Sequence, residues 1–110
     1  MIEIFVYTAP NGKQPFIKWL ASIDRQSRKR VNIALARLEE GNIGNLKSVG
    51  DGVHEIRLTF GGGIRIYLGK RGDQLVILLH GGTKHRQSDD IAKAKIFWQD
   101  YLTETNHKED

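Results

Sequence analysis

The stretch VHEIRLTFGGGIRIYLGKRGDQLVILLHGGTKHRQSDDIAKA, residues 53–94, decides the fold. It contains three short runs rich in β-branched and aliphatic residues, separated by glycine-containing turns. These runs predict three antiparallel strands, at 53–60, 63–69 and 74–80. The third run, LVILLH, is apolar on both faces and therefore belongs in the interior of the sheet, whereas the other two alternate.

One strand and three helices are predicted around this meander. The run IEIFVYTA is typical of a strand and ends at a Pro-Asn-Gly turn. Apolar residues then recur at helical spacing in two segments, of which the second stops at Gly41-Asn42. The predicted elements are a strand at 2–9, a helix from Pro15 to Ile23, a helix from Gln26 to Glu40, and a closing helix that starts near and is capped by Ser88. The sequence therefore predicts one α+β domain spanning residues 1–110: an N-terminal strand, a two-helix hairpin, a three-stranded antiparallel meander and a C-terminal helix.

Composition limits the functional classes. The 110 residues include no cysteine, which excludes disulfides and thiolate chemistry and favours a reducing compartment, so we expect a cytoplasmic protein. No apolar run reaches membrane-spanning length, and no membrane association is expected. The net charge is +4, and it is unevenly distributed: residues 24–88 carry twelve basic and six acidic side chains, whereas residues 89–110 carry three and six. A basic middle favours a polyanion or an acidic protein as partner.

Two predicted strands carry arginines. Strand alternation places Arg57 on one face of the first strand, and Arg65 and Tyr67 on the same face of the second. If the aliphatic faces pack beneath the helices, these three side chains form a basic patch on an uncovered face. Arginine suits phosphate because its planar group donates paired hydrogen bonds, and Tyr67 could stack on a base. The alternative is a solvated charged face on which Arg57 pairs with Glu55.

The loop GGTKHR follows the interior strand and brings Lys84, His85 and Arg86 to the end of the sheet. A lysine beside a histidine suits phosphoryl chemistry, since the cation stabilises developing negative charge and the imidazole can move protons near neutral pH. A basic turn without chemistry is the alternative interpretation.

The remaining cationic and histidine residues have ordinary interpretations. His54 and His80 lie on or beside apolar runs, where a histidine more often satisfies structure than performs catalysis. The chain's histidines lack ligand spacing, so we predict neither a metal site nor another cofactor. The run RQSRKR at 25–30 could touch nucleic acid but is more typical of a solvated helical face.

The order of these elements, with HEIR, GIRIYL, QLVILLHGGTK and SDDIAKAKIFWQDYL, resembles the RelE/ParE superfamily of toxins from bacterial type II toxin–antitoxin modules. The similarity spans nearly the whole chain and is greatest to the HigB-like addiction module killer proteins. It implies a helical hairpin against a mostly antiparallel sheet whose concave face carries the active residues.

Many members of that superfamily are ribosome-dependent mRNA endonucleases that use no metal. The resemblance implies that Arg65 faces the scissile phosphate, with Arg57, Lys84 and His85 as further catalytic residues. Tyr67, Arg86 and His54 are the predicted RNA-binding residues. RelE-type enzymes carry a tyrosine shortly after the basic loop, where this chain has Gln87-Ser88-Asp89-Asp90. His85 or His54 is therefore the candidate general acid or base.

The resemblance also implies binding partners, and two functions other than mRNA cleavage remain compatible with it. A helix-turn-helix antitoxin is expected, along with the ribosome and mRNA, and contact with operator DNA only through the antitoxin. A ParE-like inhibitor that binds DNA gyrase without catalysis, and a non-catalytic binding module, are the two other functions that fit the same sequence.

Overall fold

A computed structural model of the chain describes residues 1–42, 46–59 and 62–109, with side chains as far as Thr105. Phe60, predicted to end a strand, and the side chain of His107 lie outside the described part.

The described residues form the predicted α+β architecture with one additional strand. The elements are β1 (Glu3–Val6), α1 (Pro15–Ser22), α2 (Arg25–Glu39), β2 (Leu46–Gly50), β3 (Val53–Leu58), β4 (Ile64–Arg71), β5 (Leu75–Thr83), a 3₁₀ turn (Lys84–Arg86) and α3 (Gln87–Glu109).

Local sequence accounts for the helix boundaries. At the start of α2, the Asp24 side chain accepts a hydrogen bond of 3.0 Å from the backbone N–H of Ser27. The predicted stop is confirmed, because Gly41 adopts a φ of 94° and its N–H bonds the carbonyl of Leu38. The predicted cap at Ser88 is wrong: the 3₁₀ turn runs directly into α3, so this residue already lies in the first helical turn.

The sheet has the strand order β1-β5-β4-β3-β2. The meander β3-β4-β5 is antiparallel as predicted, and β1 adds to it parallel to β5. β5 is interior and buried on both faces, which confirms the interpretation of LVILLH. The strand that the sequence did not predict, β2, pairs antiparallel with β3 at the edge. Its sequence, LKSVG, is short and contains no aromatic residue, so it gives little strand signal.

Helices cover both faces of the sheet. On one face, Phe16, Val31 and Leu38 of the hairpin α1-α2 pack against Ile56, Ile64, Ile66, Leu68, Val76 and Leu78. On the other face, Ala94 and Trp98 of α3 pack against Val53, Tyr67, Ile77 and Leu79. The expectation of an uncovered sheet face is therefore wrong. In the described part of the chain, no helix combines the length and the hydrophobicity that crossing a membrane requires.

Candidate functional site

The two strand arginines converge on one buried carboxylate. Arg57 and Arg65 are direct cross-strand partners on β3 and β4, and Glu55 lies on the same face. The Arg57 Nε donates to Glu55 Oε1 at 2.7 Å, and the Gln87 Nε2 of α3 donates to Oε2 at 2.9 Å. The Arg65 Nε lies 3.7 Å from Oε2, an ion pair beyond hydrogen-bonding distance. We call Glu55, Arg57, Arg65 and Gln87 the Glu55 cluster.

Exposure within this cluster is unequal. Glu55 has no exposed surface, and the Arg65 side chain is 8% exposed, because α3 covers this part of the sheet. The Arg57 side chain is 48% exposed. The predicted pairing of Arg57 with Glu55, weighed as the alternative to a phosphate site, is thus present, yet Arg57 still faces solvent.

Glu55 remains charged in this setting. Burial acts to raise the pKa of Glu55, but hydrogen bonds from Arg57 and Gln87 and the charges of Arg57 and Arg65 together lower it below its ordinary value. The carboxylate therefore balances one of the two guanidinium charges. The two arginines and Glu55 together carry one net positive charge.

The arginines are held in fixed orientations. Bonding through Nε directs Arg57 toward Glu55 and leaves its two terminal nitrogens as further donors. The Arg65 Nη1 donates to the carbonyl of Gly63 at 2.9 Å. The point where a Cβ on Gly63 would lie is 3.2 Å from Arg65 Nη1 and 3.3 Å from Lys84 Cβ. Arg65 and Lys84 therefore flank the same backbone position at one end of the sheet.

The basic loop divides between two surfaces. Lys84, His85 and Arg86 are all exposed in the 3₁₀ turn. Lys84 lies beside Arg65, whereas Arg86 lines a different depression, together with His80 and Asp90. The structure thus places Arg57 and Lys84 each beside Arg65, and places Arg86 in a different depression.

Comparison with known proteins shows the family to which the chain belongs. Residues 18–98 match the family model described as Phage derived protein Gp49-like (DUF891). The chain belongs to the Gp49-like family. It is a family of addiction module toxins associated with toxin–antitoxin modules and related to RelE-like toxins. An uncharacterized protein of Haemophilus influenzae is 41% identical over 86 residues, which cover 77% of this chain and 87% of that protein. The matched family region contains every residue of the Glu55 cluster, the basic loop and the strands that carry them.

Two residues predicted to bind RNA in this Gp49-like protein lie away from the exposed cations. Tyr67 is fully buried beneath α3, so the expectation that it is open for stacking on a base is wrong. Burial, with the nearby carboxylates of Glu55 and Asp90, raises the pKa of Tyr67 and keeps its hydroxyl neutral. Among the described residues, that buried hydroxyl makes no hydrogen bond of good geometry, although the Glu55 carboxylate lies close enough to contribute to the raised pKa.

His54 is on the opposite face of the sheet from the Glu55 cluster. Its cross-strand partner is Leu68, and it shares the hairpin-covered side with Ile56. Burial and the charge of Lys70 lower the pKa of His54. This position agrees with the interpretation of His54 as a histidine that satisfies structure, and it leaves His54 away from Arg57 and Arg65.

Sequence reasoning missed three residues around the site. Lys47 is exposed on β2 opposite Glu55, and so shares the face of the cluster, but it lies in the strand that was not predicted. Gln87 and Asp90 face the sheet from the first turn of α3. Their spacing of three residues, which puts two helical side chains on one face, could have indicated this.

Asp90 forms a second buried polar contact in the Gp49-like chain. Its Oδ1 lies 3.1 Å from His80 Nε2, and a Cβ on Gly82 would collide with its carboxylate. A β-bulge at Leu79, the extra residue between the partners of Tyr67 and Leu68, turns His80 toward α3. Burial lowers the pKa of His80, although the Asp90 carboxylate partly opposes the shift. Within the part of the chain whose side chains are described, no group of three or more His, Asp or Glu residues could hold a metal ion.

Proposed function

We propose that this Gp49-like toxin is a ribosome-dependent mRNA endonuclease acting in the cytoplasm. The ribose 2′-OH attacks the adjacent phosphorus, so that the P–O2′ bond forms and the P–O5′ bond breaks. The products are a 2′,3′-cyclic phosphate and a free 5′-OH. One proton leaves the 2′-OH and one reaches the departing 5′-oxygen. The observation that carries the proposal is the half-exposed Arg57, oriented by buried Glu55, beside Arg65 and Lys84 at one end of the sheet.

The residues take distinct roles in this proposal. Arg57 uses its terminal nitrogens, and Lys84 its ammonium group, to bind the phosphate oxygens that gain negative charge in the transition state. Arg65 contributes charge from its enclosed position, and Lys47 adds a cation on the same face. His85, exposed in the 3₁₀ turn, is the candidate proton carrier.

The test is to map 5′ ends of cellular messages after brief induction of the wild type and of Lys84→Ala. Lys84 takes no part in enclosing Glu55, so its loss should leave the fold unchanged. Removing one such charge-stabilising donor typically lowers the rate by about 10²–10³, so new 5′ ends should nearly disappear. Lys29→Ala, which removes an exposed lysine on α2, is the matched control and should cleave like the wild type. Equal cleavage by Lys84→Ala and wild type would contradict the proposed role.

Inhibition of DNA gyrase by binding is the second candidate. It is favoured by the enclosure of Arg65 and by the neutralisation of one guanidinium charge by Glu55, which leave fewer cations for catalysis. Induction would then cause DNA damage signalling without new message 5′ ends. Cleavage without DNA damage signalling would exclude this alternative.

The family implies an antitoxin partner. We propose that it is a helix-turn-helix protein whose acidic segment covers Arg57 and Lys84, and that the complex binds operator DNA through the antitoxin. Lys84→Glu should weaken the complex and increase its dissociation rate, whereas Lys29→Glu should not. Equal affinities of the two variants for the antitoxin would place its segment elsewhere.

A further inference from the structure

A cleft between α1 and α3 lies next to the Glu55 cluster and takes no part in the proposed chemistry. Its larger part has a volume of about 500 Å³ and its smaller part about 300 Å³, and the two share Trp19, Ser22, His80 and Lys93. The larger volume falls within the range of sites that hold small organic ligands. We call it the Trp19 cleft.

The walls of the Trp19 cleft combine aromatic rings with cations. Trp19 of α1 and Phe97 of α3 are both partly exposed and line the larger part. Lys18 and Lys93 line the same part, and Arg86 lines the smaller one. A ligand with a flat ring and a negative charge matches this combination.

The floor of the cleft is polar and largely buried. It is formed by the His80–Asp90 pair, in which the Asp90 side chain is 6% exposed. Asp90 Oδ2 is buried and has no hydrogen-bond partner among the described residues. A negatively charged group is disfavoured next to this carboxylate, so the charged group of a ligand belongs with Lys93 and Arg86, and a neutral ring belongs at the floor.

The cleft lies on β5, the strand next to the one that carries Arg65. Gly82, which lines the cleft, is the cross-strand partner of Arg65, and Arg86 lies two residues after Lys84. An RNA strand held at Arg57 and Lys84 would have to cross the 3₁₀ turn to reach the cleft.

We propose that the Trp19 cleft binds one unpaired nucleotide of single-stranded RNA. The base packs against Trp19 and Phe97, and the phosphate contacts Lys93 and Arg86. The assignment of the cleft as the subsite for a nucleotide flanking the cleaved bond rests on the proposed endonuclease function. The capacity of the cleft to bind RNA can be measured without cleavage.

The experiment is an anisotropy titration of a fluorescently labelled 2′-O-methyl oligoribonucleotide with purified protein at several salt concentrations. This probe lacks the attacking 2′-OH, so it cannot be cleaved. Lys93→Glu is expected to weaken binding at least about fourfold near 0.15 M salt and to reduce the slope of log K against log salt by about 0.7. Trp19→Ala is expected to weaken it by about fivefold to a hundredfold, with the slope unchanged.

One control and one condition separate an effect on the cleft from general effects on charge and folding. Lys29→Glu makes the same charge change at an exposed position on α2, and it should weaken RNA binding less than Lys93→Glu does. Trp19 also contacts Phe16 in the core, so Trp19→Ala could lose RNA affinity because the fold is disturbed. A loss in Trp19→Ala therefore supports the cleft only if Lys93→Glu, a change at an exposed helical position, shows the expected loss as well.

The outcomes are distinct. Loss of RNA affinity in both cleft variants, with or without message cleavage in cells, supports the cleft even where the endonuclease proposal fails. Wild-type affinity and salt slope in Lys93→Glu would overturn it. So would variants that bind the RNA normally but lose the antitoxin, because the cleft would then be a protein-binding surface.

Discussion

Replacing Glu55 by glutamine tests whether one buried carboxylate organises the candidate site. Glutamine has the same shape and can still accept a hydrogen bond from Arg57. However, its amide group faces the side-chain amide of Gln87, and it carries no charge to balance the enclosed Arg65. The folded state should therefore lose stability although no space is created in the core.

The magnitude follows from the exposure of the two arginines. Removing one partner of a buried ion pair typically costs about 3–5 kcal/mol, whereas a pair with a half-exposed partner contributes about 1 kcal/mol or less. Arg65 is enclosed but lies 3.7 Å from the carboxylate, which favours the lower end of the buried range. We expect Glu55→Gln to lower the free energy of unfolding by about 3 kcal/mol, or the melting temperature by roughly 10–15 °C for a chain of this size.

The dependence on pH provides an independent check. The pKa of Glu55 is lower in the folded chain than its ordinary value of 4.5, so its contribution is complete above that pH. It is lost as the pH falls through the folded-state pKa, because the unfolded chain binds the proton more readily. The difference in stability between wild type and Glu55→Gln should therefore shrink as the pH falls below 4.5.

Urea denaturation followed by circular dichroism measures both effects. Glu39→Gln, the same chemical change at an exposed position on α2, is the control and should shift stability by less than about 0.5 kcal/mol. Equal stability of Glu55→Gln and wild type at pH 7, or a difference that persists undiminished at pH 3, would refute the role assigned to the carboxylate.

Three further variants probe the packing of α3 and the buried histidines. Gly82→Ala should lower the free energy of unfolding by about 1–3 kcal/mol, since the added methyl collides with Asp90; an unchanged urea midpoint would contradict the close approach. Tyr67→Phe should leave stability unchanged or raise it by about 1 kcal/mol, because its buried hydroxyl makes no hydrogen bond of good geometry among the described residues, and a clear loss in thermal melts would show that it bonds the nearby Glu55 carboxylate. Burial lowers the pKa of both His54 and His80 below 6.5, so the unfolded chain takes up protons first and stability should fall as the pH drops below 6.5. Replacing both histidines by glutamine should flatten the urea-midpoint profile between pH 7 and 5, and an unaltered slope would assign it to other groups.

The fold was predictable because its strongest patterns are local. Alternation and glycine turns identified the meander, and helical spacing identified both helices of the hairpin. β2 was not predicted because Leu46–Gly50 contains Lys, Ser and Gly, which give little strand signal. Its pairing with β3 depends on a tertiary contact rather than on propensity.

The site was only half predictable for a related reason. Strand alternation placed Glu55, Arg57, Arg65 and Tyr67 on one face correctly. It could not show that α3 covers that face, because alternation assigns side chains to the two faces of the sheet without revealing what packs on each face. Tyr67 consequently became a core residue, and only Arg57 retained wide exposure.

The same residues that shape the candidate site also hold α3 to the sheet, and this governs how mutants can be interpreted. Gln87 of α3 bonds Glu55, which in turn pairs with the enclosed Arg65. Loss of toxicity in Arg65→Ala would therefore follow from unfolding as readily as from a missing phosphate contact. Lys84 flanks Arg65 from an exposed turn and is free of this ambiguity. A lost activity in Lys84→Ala at unchanged unfolding free energy is consequently the result that assigns chemistry, rather than packing, to this end of the sheet.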